Sequence, residues 1–271
     1  MKTPSLPYAL LLGPVRAGYA LWALLAFLSA GSAALVLLAV LPGVERRRAA
    51  ARGAARTYLR LAGLPLTVKF PERLPTGQCV VVCNHASYLD GIVLTAALPP
   101  RFAFVIKREM ARVPGAGAVL RRLGSEFVER FDRQRGASDT RRMLRNASQG
   151  QSLVFFPEGT FTRTPGLLKF HTGAFATAAR ASCPLVPAVL RGTRRALPPS
   201  GALPRPGPLE MELLAPLTPP PAAGEHAAPE LRDRARAAML AALGEPDLTC
   251  CDDTDPPPGT APAKSARASR P

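Results

Sequence analysis

Apolar residues fall along most of this chain in short runs bounded by proline, glycine, asparagine and charged residues, the pattern of β-strands buried on both faces. Leu66 to Phe70, Cys79 to Cys83, Phe102 to Ile106, Glu126 to Val128, Leu153 to Phe156, Leu185 to Leu190 and Leu209 to Leu214 read as strands. Helical stretches fall between several of them. Ser87 to Ala97 continues from the second strand, Ser138 to Gln149 has Ser138 or Asp139 as cap and Gly150 as stop, and Gly173 to Ala181 follows the fifth strand. A last helix, Pro229 to Leu243, comes after the proline-rich linker Pro216 to Pro221. This alternation predicts an α/β fold: one sandwich-like domain with a mixed, largely parallel sheet flanked by helices. No internal repeat is present.

The N-terminus follows a different pattern. Ala17 to Val44 contains no charged residue, and as a helix it would be about 42 Å long against a hydrocarbon core of about 30 Å. It is too long for the core of a signal peptide and is followed by Arg46-Arg47-Arg48 where a cleavage site would stand, so it reads as a retained anchor. Two geometries fit. One is a spanning helix. The other is a pair of shorter helices lying in one leaflet, since Ser29-Ala30-Gly31-Ser32 interrupts the apolar run and residues 5–15 are largely apolar too. Arg46, Arg47, Arg48, Arg52, Arg56 and Arg60 on the C-terminal side outweigh Lys2 and Arg16, which places the following domain in the cytoplasm. The same arginines are expected against anionic headgroups. The predicted organisation is a membrane-anchoring segment with basic flank over 1–62, a catalytic domain over 63–222, a C-terminal helix over 223–248 and a disordered tail over 249–271.

Composition narrows the partners. Thirty-five Lys and Arg against 19 Asp and Glu give a formal charge of +16, which calls for anionic partners: phosphates, nucleic acid or an acidic membrane face. Aromatic residues make up only 6% and no stacking platform or zinc knuckle interleaves the basic ones, which argues against nucleic acid. The five cysteines do not form a disulfide framework, and His85, His171 and His226 stand at no ligand spacing with a cysteine pair, so no metal is expected.

The chemistry centres on Cys83-Asn84-His85-Ala86-Ser87-Tyr88-Leu89-Asp90, at the exit of the valine-rich strand. With His85 on the turn and Asp90 in the first turns of the helix, the carboxylate can fold back to one imidazole nitrogen. The other nitrogen is then available to take a proton from an alcohol, help worth roughly 10²–10⁴ in rate. The plainer reading is that Asn84 and Ser87 cap a helix and His85 is a turn histidine.

Three further blocks follow in order. Gly124-Ser125-Glu126-Phe127-Val128-Glu129-Arg130, then Phe156-Pro157-Glu158-Gly159-Thr160 with Lys169-Phe170-His171-Thr172-Gly173-Ala174-Phe175 beyond it, then Leu185-Val186-Pro187-Ala188-Val189. With Asn84, His85 and Asp90 as the first block, this series over residues 60–195 resembles the glycerolipid acyltransferases of the lysophosphatidic acid acyltransferase type. The resemblance implies a membrane-bound enzyme that transfers a fatty acyl group from acyl-CoA or acyl-carrier protein to a lysophospholipid, without a cofactor. It also lends support to the interfacial helix pair, which members of the family are known to have.

On this reading His85 is the base and Asp90 its orienter, the acceptor hydroxyl attacking the thioester directly. Ser87 as an acyl-enzyme nucleophile is the lesser possibility, since it is well explained as a cap. Arg130 is the candidate for the acceptor's anionic group, which guanidinium binds bidentately. Glu158, Gly159 and Thr160 form a turn whose exposed amides and hydroxyl can bind an anion or a headgroup hydroxyl. Lys107 resembles a family lysine that helps bind phosphate.

One departure bears on substrate. Many phosphatidic-acid-forming members have an arginine directly after the threonine of the third block, whereas here the order is Thr160-Phe161-Thr162-Arg163. Arg163 stands as a substitute two positions later, and His171 reads as a loop residue. The acceptor is therefore 1-acyl-glycerol-3-phosphate or another single-chain lipid such as a lyso-ornithine lipid. A hydrolase using water at the same site lacks a Gly-x-Ser-x-Gly elbow, and a catalytically silent membrane-binding protein is opposed by the intact His85 and Asp90.

Overall fold

Seven strands lie in one sheet in a computed structural model that describes residues 6–128, 145, 150–199, 204–220 and 226–249. They are β1 (Leu66–Lys69), β2 (Val80–Cys83), β3 (Phe102–Lys107), β4 (Glu126–Val128), β5 (Ser152–Phe155), β6 (Leu185–Arg191) and β7 (Leu209–Leu213), in the order β1-β7-β6-β2-β5-β3-β4. β2 pairs parallel with both β5 and β6, and β3 pairs parallel with β5 and β4. β7 runs antiparallel to β6 and parallel to β1, which makes the sheet mixed but mostly parallel, as predicted. The C-terminal ends of β6, β2, β5, β3 and β4 therefore open on one edge, where ligands of open α/β sheets bind.

The buried valine run of β2 shows why these strands sit centrally. Val81 and Cys83 face one apolar cluster with Leu59, Leu64, Leu94, Val186 and Met211, while Val80 and Val82 face the other with Leu153, Phe175, Leu185, Leu231 and Met239. That is the period-2 alternation of a strand with both faces covered. The first face is covered by α2 (Val44–Leu61) and α3 (Asp90–Ala97), the second by α5 (Gly173–Arg180) and α7 (Ala227–Leu243). Two shorter helices, α4 (Ala116–Arg122) and α6 (Thr193–Ala196), follow β3 and β6. Pro187, which has no N–H to donate, stands one residue before the β6–β7 register begins at Ala188↔Leu213.

The strand predictions hold to within a residue at each end. Among the helices, the predicted Ser138–Gln149 lies outside the described residues, apart from Arg145. The predicted helix from Ser87 begins instead at Asp90. The amides of Ala86 and Ser87 are taken by the Asp90 carboxylate, which holds those residues in a turn.

The N-terminal segment differs more. α1 (Leu6–Val40) is one helix that passes through Ser29–Ser32 without a break. Ser29 donates its hydroxyl to Ala26 O at 3.1 Å, so the serine is satisfied inside the helix. The break falls at Leu41-Pro42-Gly43, where Gly43 adopts φ 76°, and the pair is formed by α1 with the arginine-rich α2. Tyr19 Oη and Trp22 Nε1 donate to Ala62 O and Leu61 O at the far end of α2, and the Phe27 and Tyr58 rings meet edge to face at 5.4 Å. At the other end Arg122 of α4 donates to Leu38 O and Ala39 O.

Four of the α2 arginines expected at headgroups donate to backbone carbonyls, Arg47 to Leu41 O at 2.9 Å. Arg48 donates to Leu123 O, Arg101 O and Gly124 O, and Arg52 and Arg56 donate to Ala96 O and Ala97 O at the C-terminus of α3. Buried carbonyls at a helix end need donors, and guanidinium supplies several with favourable charge. Arg46 and Arg60 are exposed, and so is Arg56 despite its contact to Ala96 O.

Candidate active site

His85 follows β2 directly, and the backbone around it is fixed from three sides. Asn84 behaves as an extra sheet residue: its side-chain amide donates to Leu190 O at 3.1 Å and accepts Leu190 N at 2.7 Å, extending the β2–β6 pairing. Ser87, fully buried, donates its hydroxyl to Leu197 O and accepts Leu89 N. With the hydroxyl committed in that way, Ser87 serves as a turn former and the nucleophile reading loses its support. The third tie is Asp90, whose Oδ2 accepts Ala86 N at 2.6 Å, Ser87 N at 2.8 Å and His85 Nδ1 at 2.8 Å. Asp90 is fully buried, and its second oxygen makes no hydrogen bond among the described residues. One carboxylate oxygen thus shapes the turn and orients the imidazole together.

Because the carboxylate accepts at Nδ1, the ring proton is held there and Nε2 presents a lone pair. The ring itself is gripped by phenylalanines. Phe156 stacks on it at 4.1 Å between centroids with 16° between planes, and Phe161 meets it edge-on at 4.5 Å. Phe161 is buried and also meets the exposed ring of Tyr88 at 4.9 Å. Phe161, which stands directly after Thr160, is therefore a wall of the His85 pocket. Phe156 is read from the sequence as the end of a strand and the start of the third block, and its stacking on His85 could have been suspected from its place at the exit of the strand next to β2.

Glu158 is expected from the sequence to hold substrate, but it is nearly fully buried and its two oxygens are occupied. Oε1 accepts His85 N at 2.7 Å and Oε2 accepts Leu168 N at 2.9 Å. It is a clamp between the backbone of His85 and the loop after the third block. Burial pushes its carboxyl up to about 8, against the opposing pull of the two amide bonds. A carboxyl raised above its unfolded value keeps its proton in the folded state, so its contribution to stability is fully present below about 4.5 and is lost as pH rises through about 8. Glu158→Gln leaves one of the two amides facing an NH₂ group, a loss of about 1–3 kcal/mol. In thermal unfolding, the deficit of this variant is expected to be larger at pH 6 than at pH 9, since only the wild type carries the titrating group.

Gly159, Thr160, Arg163 and Lys107 lie on the same sheet edge. Gly159 turns with φ 75° and donates to Phe156 O, and Thr160, half-buried, leads into Phe161. Arg163 is exposed at the tip of a turn bracketed by Arg194, which donates to Thr162 O and Thr164 O. Lys107 ends β3, separated from β2 by β5 alone, so its backbone lies about 10 Å from the exit of β2 at ~4.8 Å per strand. Arg130 lies outside the described residues. His171 is exposed in the loop before α5, as read from the sequence.

Residues 65–191 match the family described as "Acyltransferase". Among curated proteins, the chain is 33% identical over 129 residues to a chloroplastic 1-acyl-sn-glycerol-3-phosphate acyltransferase of Brassica napus, covering 47% of this chain and 37% of that one. It is 34% identical over 142 residues to the human 1-acyl-sn-glycerol-3-phosphate acyltransferase beta, covering 49% of each. It is 32% identical over 145 residues to the lyso-ornithine lipid O-acyltransferase of Pseudomonas aeruginosa, covering 52% of this chain and 54% of that one. The chain thus spans about half or less of the length of these relatives. Its fold is shared with the 1-acyl-sn-glycerophosphate acyltransferase PlsC of Thermotoga maritima, with a TM-score of 0.69 at 20% identity over 84% of this chain and 96% of that one.

Proposed function

We propose, from the premise that residues 65–191 of this chain form an acyltransferase-family domain, that the protein is a membrane-bound O-acyltransferase. It moves a fatty acyl group from acyl-CoA or acyl-carrier protein to the free hydroxyl of a lysophospholipid, with 1-acyl-sn-glycerol-3-phosphate as acceptor and phosphatidic acid as product. The observation that carries this reading is the Asp90–His85 pair at 2.8 Å, held at the C-terminal edge of a mostly parallel sheet. His85 Nε2 takes the hydroxyl proton as the alcohol oxygen attacks the thioester carbon. The carbon–sulfur bond then breaks, and the imidazolium returns the proton to the departing thiolate. Asp90 stabilises the imidazolium between the two steps. Lys107 and Arg163 on this edge are the cations for the acceptor's phosphate, with Arg130, outside the described residues, as a third candidate.

The membrane reading rests on α1. Leu21, Leu24, Leu25, Leu28, Leu35, Val36 and Val40 are all exposed, whereas Ala20, Ala23, Ala26 and Leu38 are buried. The helix touches the rest of the protein from Tyr19 to Ala39, which favours a helix lying in the interface over one that leaves the domain to cross the bilayer. This reading sets the catalytic domain on the cytoplasmic face, where acyl thioesters are made, on the arginine excess that follows α1.

A second reading keeps the chemistry and changes the acceptor to a lyso-ornithine lipid. It is favoured by Phe161 against the base and by the Pseudomonas relative. Membranes containing the protein, given labelled acyl-CoA or acyl-carrier protein and a panel of lysolipids, separate the two. Phosphatidic acid as product supports the first acceptor, and product with the lyso-ornithine lipid alone moves the assignment to the second. Absence of transfer to every acceptor overturns both.

A further inference from the structure

The loop 160–168, which carries Thr160 and Phe161, is held largely by the segment that follows α7. After α7 the backbone turns at Gly244 and residues 245–248 run back along the loop. Leu167 N donates to Pro246 O at 2.9 Å, Leu248 N donates to Leu167 O at 3.0 Å, and Glu245 Oε2 accepts Gly166 N at 2.7 Å. Gly166 stands at φ 144°, and a Cβ there would lie 2.5 Å from the Leu248 side chain, so the segment closes on the loop with no room for a larger residue. Arg236 of α7 fastens this contact. It makes a bidentate pair with Asp247, both bonds at 2.7 Å, and also donates to Leu167 O at 2.9 Å. Arg194 ties Glu245 to the carbonyls of Thr162 and Thr164.

We infer that residues 245–248 are a strap that sets the position of the catalytic loop, with Arg236 as a positioning residue for the acyl-transfer site. The path to the base is continuous and short. Leu167 is held by the strap, Leu168 N is held by Glu158 Oε2, and Glu158 Oε1 holds His85 N. Phe161, six residues before Leu167 in the same loop, closes on the His85 ring. Slack in the strap would pass to both the backbone and one face of the imidazole, and small displacements of reacting groups are costly in rate. The inference rests on the acyltransferase reading for its kinetic consequence but not for its structural one.

The test is Arg236→Met in the full-length protein, in micelles, with Arg236→Lys beside it. Arg236→Met is expected to lower kcat per folded molecule about tenfold with KM for donor and acceptor changed less than twofold. Arg236→Lys, which keeps one donor contact to Asp247 or Leu167, is expected to recover part of the loss. Hydrogen exchange at residues 158–168 and at His85 is expected to quicken in Arg236→Met while β2 and β6 stay protected. Combining Arg236→Met with Glu158→Gln is expected to cost less in kcat than the product of the separate losses, because both act through one path. Unchanged kcat per folded molecule together with unchanged exchange at 158–168 would overturn the strap. If the wild type transfers no acyl group, the exchange measurement alone decides, so failure of the enzymatic reading is distinguishable from failure of the strap.

Discussion

His85→Ala is expected to lower acyl transfer by about 10²–10⁴-fold, the range that general-base help supplies. The expectation follows from geometry that leaves no substitute. Nδ1 is held by Asp90 at 2.8 Å, the ring is fixed between Phe156 and Phe161, and Ser87, the nearest hydroxyl in the motif, donates to Leu197 O. Removing the ring also empties the space between two phenyl groups. The rate is therefore to be normalised to folded protein, and His85→Gln, which fills more of the pocket without a titratable nitrogen, is expected to be as inactive as His85→Ala.

Asp90→Asn is expected to lower kcat on the order of 10²-fold, corresponding to about 2.7 kcal/mol, and to lower stability as well. The carboxylate oxygen that meets His85 also meets the amides of Ala86 and Ser87. An asparagine can keep its oxygen toward those three donors only by turning its NH₂ to the buried position of Oδ1, where the carboxylate makes no hydrogen bond among the described residues. That arrangement costs about 1–3 kcal/mol for a buried unsatisfied donor and removes the negative charge that steadies the imidazolium. Thermal unfolding and single-turnover rates measured on the same preparation separate the two losses. A variant with wild-type kcat and only reduced stability would reduce Asp90 to a turn former.

What the sequence made legible was mostly the sheet and the His85–Asp90 pair. The valine run before Cys83 and the apolar run around Pro187 announce buried strands, because a strand covered on both faces must be apolar throughout. The spacing of His85 and Asp90 foretold their contact, because a strand exit followed by a helix start brings such a pair together. The two amide contacts of Glu158 were not legible for a physical reason. A carboxylate after a strand looks exposed in sequence, and only the fold reveals two backbone amides converging on it. Phe161 was legible as an oddity of the motif but not as a wall of the imidazole, since ring contacts across a loop have no sequence period. Arg48, Arg52 and Arg56 were read by charge alone, and charge does not say whether a guanidinium faces lipid or a helix's last carbonyls. The strap was hidden in a stretch of Gly, Glu, Pro and Asp that resembles the start of a tail.

The measurement that tests the central claim most directly is the ratio of thiol released to ester formed when the wild-type protein in membranes receives acyl-CoA with and without a lysolipid acceptor. The account predicts one ester per thiol with acceptor present, little thiol without it, and loss of both products in His85→Ala. Thiol release at the same rate without acceptor, matched by free fatty acid, would contradict it and make the His85 site a hydrolase.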